Sequence, residues 1–439
     1  MSDAALGAWG FAALLALIGL RLPIGLAMFA VGSVGYVVLS GWSPYLAYMK
    51  TTPFFLFSNY TLCVIPLFIL MGAFAERSGL SRALFAAANA FVGHRRGGMA
   101  MAAIGACTAF GAICGSSVAT TATMGRAAYP ELKRYGYADS LSTGTLAVGG
   151  TLGILIPPSV ILIVYAISTE QNIAKLFMAA FVPGILAALF YLVAVAWTVR
   201  RDLTAGPAGP RVDGPERRRA VVDVLPVLGI ALAVIGGIYG GVFTPTEGAA
   251  VGTVATLVTG LAYRRLGWAE IRASLVQTAE LSAMIFIILL GAEVFNAFLT
   301  LSDLPLVAAE TITDLGWPPY AVLVTLLVFY IVLGGVMDEL AMILLTLPIF
   351  FPIVMALDFG MDPEETAIWF DILVLVIVGI GLAAPPIGLN VFVMNAIAKG
   401  VPITTIYRGV LPFLATDLAR LALLILFPGL ALALVRLLA

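Results

Sequence analysis

Gly153-Ile-Leu-Ile-Pro-Pro158 sits midway in one long apolar run, Ser140–Ile167, and Gly381-Leu-Ala-Ala-Pro-Pro386 sits midway in another, Thr366–Ile397. Both runs exceed the ~20 residues that a straight helix needs to cross a bilayer. A Pro-Pro pair inside such a run removes two backbone donors and frees carbonyls one turn upstream. In hydrocarbon those carbonyls must be satisfied, so broken backbone is tolerated only where protein or a watery cavity surrounds it. Working outward, Pro183 and Pro412 follow the two pairs at nearly equal spacing, and Pro130 and Pro352 precede them. The chain therefore carries an internal repeat.

The rest of the composition fits a membrane protein. The 439 residues are 62% hydrophobic and 11% charged, and mean hydropathy is +1.08. Soluble domains carry about 25% charged residues, so a soluble fold is excluded. A net charge of -1 gives no hint of a nucleic-acid partner. Cys63, Cys107 and Cys114 have no metal-ligand spacing and lie in apolar surroundings, as packing residues do. The first apolar run starts at Ala4 with no basic segment before it, unlike a cleavable signal peptide.

Spans are expected at Ala4–Leu20, Ile24–Leu39, Tyr60–Ala75, Ser140–Ile167, Ile173–Val199, Val221–Ile238, Glu247–Tyr263, Val276–Leu299, Thr366–Ile397 and Thr404–Leu434. The connector Arg200–Ala220, rich in Gly, Pro and Arg, divides them into near-equal halves and reads as a cytoplasmic linker. Basic residues favour the cytoplasm. Arg21, Arg77, Arg95, Arg134, Arg217 and Arg265 can share one side, with Asp303, Asp358 and Glu365 on the other. The amino terminus is then periplasmic.

That orientation holds only if Gly98–Tyr129 and Pro319–Met355 each enter and leave from one face, as re-entrant hairpins. A leg of roughly 15 residues is about 22 Å of helix, enough to reach mid-membrane. Phe110-Gly-Ala-Ile-Cys-Gly-Ser-Ser117 stands at the first tip and Gly334-Gly-Val-Met-Asp-Glu339 at the second. The fold expected is an all-α polytopic protein with two inverted repeats, 1–199 and 221–439, joined by the linker 200–220. Discontinuous helices meeting near the midplane are the pattern of many secondary transporters.

Gly115-Ser116-Ser117 brings two hydroxyls to membrane depth, facing the break at Gly153–Pro158. Helix amino termini attract anions and carbonyl ends attract cations, so the pair can hold sodium with an anion beside it. Close packing by small residues is the structural alternative. For Asp338 and Glu339, three readings are open: cation coordination, proton coupling, or a shallower hydrated position. Arg126 can pair with a carboxylate or snorkel to the interface. Asn390 and Asn395 can serve a cation or substrate, or only bond across helices. Thr244-Pro-Thr-Glu247 fits a capping box, His94 lies in a basic loop, and Asp417 with Arg420 fits a local ion pair. No ATP-binding, zinc-protease or serine-hydrolase motif is present.

Phe110–Pro130, the two Gly-x-x-x-Pro-Pro segments, Thr244-Pro-Thr-Glu-Gly-Ala-Ala250 and Pro385-Pro-Ile-Gly-Leu-Asn390 together resemble the large, DctM-like membrane subunit of TRAP transporters (tripartite ATP-independent periplasmic transporters). The resemblance covers essentially the whole chain and extends to the ion-transporter superfamily of elevator-type carriers. It implies sodium-driven uptake of an organic-acid anion, such as a C4-dicarboxylate or a sialic acid, across the bacterial inner membrane. It also implies a periplasmic substrate-binding protein and a small four-span membrane subunit, here expected as a separate chain.

Carried over residue by residue, the resemblance puts sodium at Gly115, Ser116, Ser117, Gly153 and Pro157, and at Gly334, Asp338, Gly381 and Pro385. Substrate would meet Arg126, with Ser117, Asn390 and Asn395 nearby. Spans 4–39 and 221–263 would form the scaffold. Elements 60–199, with hairpin 98–132, and 276–439, with hairpin 319–356, would form the mobile transport domain. A stand-alone symporter of the same fold is the competing expectation, and a polytopic enzyme is disfavoured for want of an intramembrane nucleophile or metal set.

Overall fold

The computed structural model describes residues 2–335 and 337–438, and every regular element among them is helical. The first half runs α1 (Asp3–Gly19), α2 (Ile24–Ser40), α3 (Trp42–Phe57), α4 (Val64–Arg77), α5 (Leu80–Val92), α6 (Gly98–Cys114), α7 (Ser117–Arg134), α8 (Asp139–Gly149), α9 (Leu152–Leu155), α10 (Val160–Ser168) and α11 (Ile173–Arg201). The second half runs α12 (Gly214–Tyr239), α13 (Pro245–Ala262), α14 (Trp268–Leu301), α15 (Leu304–Asp314), α16 (Pro319–Gly334), α17 (Glu339–Met355), α18 (Pro363–Ala383), α19 (Leu389–Ile397), α20 (Ile403–Leu426) and α21 (Gly429–Leu438).

Local chemistry sets these boundaries. Thr244 and Glu247 form the capping box, with Pro245 at the first helical position. Ser116 caps α7, Ser159 caps α10 and Asp338 caps α17. Among the described residues six helices are long and apolar enough to cross a membrane alone, and α8–α9 with α10 pass the same test only as a pair, bent by 43°. The prolines cause that bend: Pro157 and Pro158 cannot donate to the carbonyls of Gly153 and Ile154, and Pro385 and Pro386 leave those of Gly381 and Leu382 in the same state.

Several sequence expectations change. The helices α3, α5 and α15 lie outside the expected spans. Lys50 and Pro53 interrupt the apolar character of α3, while α5 and α15 are too short to be read as crossings. Thr404–Leu434 is split at Phe427–Pro428 into α20 and α21. The linker is shorter than 200–220, because α11 continues to Arg201 and α12 starts at Gly214. It also folds back on the protein: Gly97 N–H donates to Gly206, Gly209 N–H to Gly93, and Ala138 N–H to Ala205.

Helix packing is reciprocal between the halves. The helix α2 packs most extensively on α14, and α4 on α13; α1 pairs with α2, and α12 with α13. A second group gathers the hairpins, the broken helices, α11 and α20, and within it α18 is buried from Thr366 to Ala383. The helices α5 and α15 touch both groups: α5 meets α6 and α12, while α15 meets α17 and α1. Grouped by sequence with the transport elements, α4 and α14 make their most extensive contacts with α13 and α2. Small residues permit the closest crossings. Gly25 lies against Gly291 between α2 and α14, and Gly144 against Gly409 between α8 and α20.

Candidate ion and substrate site

The first hairpin turns on two residues. Gly115 has φ +64°, a left-handed conformation that a side chain would strain. It lies so near the first break that an added Cβ would stand 2.9 Å from the Pro158 carbonyl oxygen. Val160 N–H donates to the Gly115 carbonyl at 3.3 Å. On the other side of the break, a Cβ on Gly153 would meet the Ser116 carbonyl oxygen at 2.6 Å. Gly115, Ser116, Ser117, Gly153 and Pro157 thus form one locus.

Polar oxygens surround that locus. Ser117 is fully buried, and its Oγ accepts from Asn390 Nδ2 at 2.7 Å. The same amide donates to the Ala147 carbonyl at 3.0 Å. Asn390 Oδ1 is buried without a partner among the described residues, as are the hydroxyls of Thr120, Thr121, Ser142 and Thr145. An unpaired buried oxygen costs free energy that a bound cation can offset. Oxygen ligands of this kind suit hard cations. The threonines were not singled out in the sequence: the run Thr120-Thr121-Ala-Thr123 following Ser-Ser was the available signal, one equally compatible with helix packing.

The second locus repeats the arrangement with different chemistry. Ile387 N–H donates to the Gly335 carbonyl at 3.1 Å, and Gly334 abuts Gly381, whose added Cβ would lie 2.8 Å from Gly334 backbone. Gly334, Gly381 and Pro385 therefore come together. Tyr407 Oη donates to the Ile387 carbonyl at 2.6 Å and lies 3.1 Å from that of Pro386. Asp338 is exposed, and its Oδ1 accepts from the amides of Leu340 and Ala341. Glu339 Oε2 is buried without a partner among the described residues. Val336, in the predicted tip, lies outside the described residues.

The loci are neighbours. Asn390 bridges them through Ser117, and Gly379 on α18 packs against Thr151 beside the first break. Asn395, half-buried on α19, makes no hydrogen bond among the described residues that ties it to this network. Arg126 stands lower on α7, where its Nη2 lies 2.6 Å from Glu76 Oε1. Behind the first break, Thr151 Oγ1 lies 3.0 Å from Tyr191 Oη, which donates to Asp417 Oδ2 at 2.9 Å. Asp417 and Arg420 pair at 2.8 Å, both fully buried. The local pair expected from spacing is thus part of a network reaching the break.

Two cavities open beside this core. One, of about 920 Å³, is lined by Glu76, Arg82, Thr123, Arg126 and Arg219 among others. Another, of about 740 Å³, is lined by Asn59, Glu170, Glu293, Asn296 and Asp303 with apolar residues of α17.

The chain is a transporter subunit, not an enzyme. Residues 11–430 match the family described as "Tripartite ATP-independent periplasmic transporter, DctM component", and the chain belongs to that family. It is 40% identical, over 86% of each chain, to the C4-dicarboxylate TRAP transporter large permease protein DctM of Pseudomonas aeruginosa. It is 33% identical to the isethionate TRAP transporter permease protein DctMQ of Oleidesulfovibrio alaskensis, over 94% of this chain and 63% of that one. It is 31% identical to the ectoine/5-hydroxyectoine large permease UehC of Ruegeria pomeroyi, over 96% and 97% of the two chains. In fold it is similar to the Alcanivorax borkumensis YdaH transporter, with TM-score 0.64 at 15% identity over 99% of this chain and 100% of the other. TRAP large permeases are inner-membrane proteins that work with a substrate-binding protein and a small membrane subunit.

Proposed function

We propose that this subunit couples inward sodium movement to uptake of an organic-acid anion delivered by a periplasmic binding protein. The observation that carries the reading is the meeting of the Ser116–Ser117 tip with the Gly153–Pro157 break, among buried oxygens that lack partners. Sodium at this locus, and at the Gly334–Gly381–Pro385 locus with Asp338 nearby, orders the tips before the anion binds. Arg126, Ser117, Asn390 and Asn395 form the anion side. Relatives named for C4-dicarboxylate and isethionate support an acidic cargo, and the sequence match to the first favours a dicarboxylate.

The two halves act as inverted repeats, a reading that the reciprocal pairing of α2 with α14 and α4 with α13 supports; the distribution of basic residues puts the amino terminus in the periplasm. In this reading α1–α4 and α12–α14 form a scaffold. The hairpins, broken helices, α11 and α20 form a body that moves across the membrane as an elevator. A dianion accompanied by three sodium ions would move one net positive charge inward, worth about 2.3 kcal/mol per 100 mV. The small membrane subunit acts with this chain as a further component of the system.

The test is uptake of labelled succinate, isethionate and sialic acid into proteoliposomes under an inward sodium gradient, omitting each component in turn. Uptake that needs the binding protein and the small subunit supports the tripartite reading. Full uptake by this chain alone would establish a stand-alone symporter instead.

A further inference from the structure

Glu76 closes α4, in the helix group built on α13 and α14, whereas Arg126 belongs to the first hairpin. Their ion pair, at 2.6 Å, thus joins the two groups that the functional reading sets in relative motion. It consists of one hydrogen bond, from Nη2 to Oε1. A guanidinium facing a free carboxylate favours two parallel bonds, so Glu76 leaves part of the Arg126 fork unused. The Arg126 side chain is 59% exposed, and both residues line the 920 Å³ cavity.

The cavity wall is basic. Arg77, Arg82, Arg219 and Arg265 share it with Arg126, against the acids Glu76 and Asp223. Arg77 is taken up by Ser274 and Gln277, and Arg265 by the carbonyls of Ser78 and Gly79. Thr123, one turn before Arg126, also lines the cavity, and its hydroxyl is buried without a partner among the described residues. The hydroxyls of Thr123, Thr121 and Thr120 stand on α7 between Arg126 and Ser117, each buried without a hydrogen-bond partner among the described residues. With the Arg126 side chain this exposed and the Glu76 side chain 20% exposed, the pair is partly hydrated and contributes modestly to stability.

We propose that Glu76 is a resident carboxylate that occupies Arg126 in place of the cargo, so that an organic acid displaces it and thereby frees the first hairpin from α4. The proposal rests on the reading that Arg126 meets the substrate carboxylate. Glu76 then acts as a built-in competitor. It excludes ligands too weak to satisfy both arms of the guanidinium, and the pair re-forms when cargo leaves, so the tie to α4 marks the empty carrier. One carboxylate replaces another on a single cation, so the exchange is neutral in charge.

The experiment places the full chain in phosphatidylcholine nanodiscs in sodium buffer. Modification of Arg126 by the arginine reagent phenylglyoxal is followed by peptide mass spectrometry, with succinate as the competing probe. Glu76→Gln is expected to raise the labelling rate of Arg126 about tenfold and to lower the protective succinate concentration by about the same factor. Glu76→Asp should stay near wild type, and thermal melting of each variant verifies its fold. Unchanged labelling in Glu76→Gln, or protection at the same succinate concentration as wild type, overturns the competition. Faster labelling that succinate never suppresses overturns the Arg126 reading itself. Protection by added phosphatidylglycerol and not by succinate would assign the guanidinium to a lipid phosphate and overturn both.

Discussion

Ser117 and Asn390 come from opposite halves of the chain, yet one hydrogen bond of 2.7 Å joins them at the centre of the candidate site. Asn390 spends its amide on Ser117 and Ala147, which leaves its carbonyl oxygen as the free group. An asparagine oriented in this way presents an acceptor, the polarity a cation requires. Asn390→Leu removes that acceptor and the bridge together. The half-saturating sodium concentration for uptake is expected to rise at least tenfold, corresponding to about 1.4 kcal/mol; a sodium titration of transport checks it. Tyr191→Phe deletes only the hydroxyl that links Thr151 to Asp417. A loss of about 1–3 kcal/mol in stability is expected, read as a lower melting temperature in detergent. Arg420→Leu strands the Asp417 carboxylate in the membrane interior, a more severe change of about 3–5 kcal/mol that should show as poor folding and low yield.

At this scale the sequence was only partly legible. The roles offered to Gly115, Ser117 and Asn390 depended on a repeat visible in the chain, and those residues do converge. Arg126 was visible as a guanidinium in the returning leg of the first hairpin, but its partner Glu76 lies 50 positions away on another helix, and no local pattern connects them. Asp338 was legible as an acid at a hairpin tip. Its use as a helix cap depends on the backbone geometry of that turn, which a list of residue types does not contain.

Among the elements, the broken helices matter most. The prolines that mark them fix where carbonyls lose their donors, so both breaks were readable to the residue. Short and mixed-character helices were not. The apolar signal that finds a span fails for α5, whose polar face carries Ser81, Arg82 and Asn89, and for α3 with Lys50 and Pro53. Close packing of the first tip on its break makes a further prediction. Gly115→Ala places a side chain in a left-handed conformation and against the Pro158 carbonyl, a strain of about 1–3 kcal/mol. Because the strain falls on the tip, sodium-dependent uptake should be lost while the remaining helices stay folded, as circular dichroism would show. Ser159→Ala removes the cap of α10 and should cost about 1 kcal/mol, seen as a small decrease in melting temperature.

Across the whole molecule, two helix groups meet along a boundary crossed by the Glu76–Arg126 pair, with an arginine-rich cavity on one side and an acidic one near Glu170, Glu293 and Asp303. An elevator requires that boundary to slide. The central claim is that sodium drives the cargo through the oxygen-lined loci. Its most direct test is the initial uptake rate of labelled succinate into proteoliposomes holding all three components. One set carries an inward sodium gradient at equal pH, the other a proton gradient without sodium. Uptake in the first set alone is the predicted result. Equal or greater uptake in the second would contradict the claim and shift attention to the buried acids, Glu339 foremost.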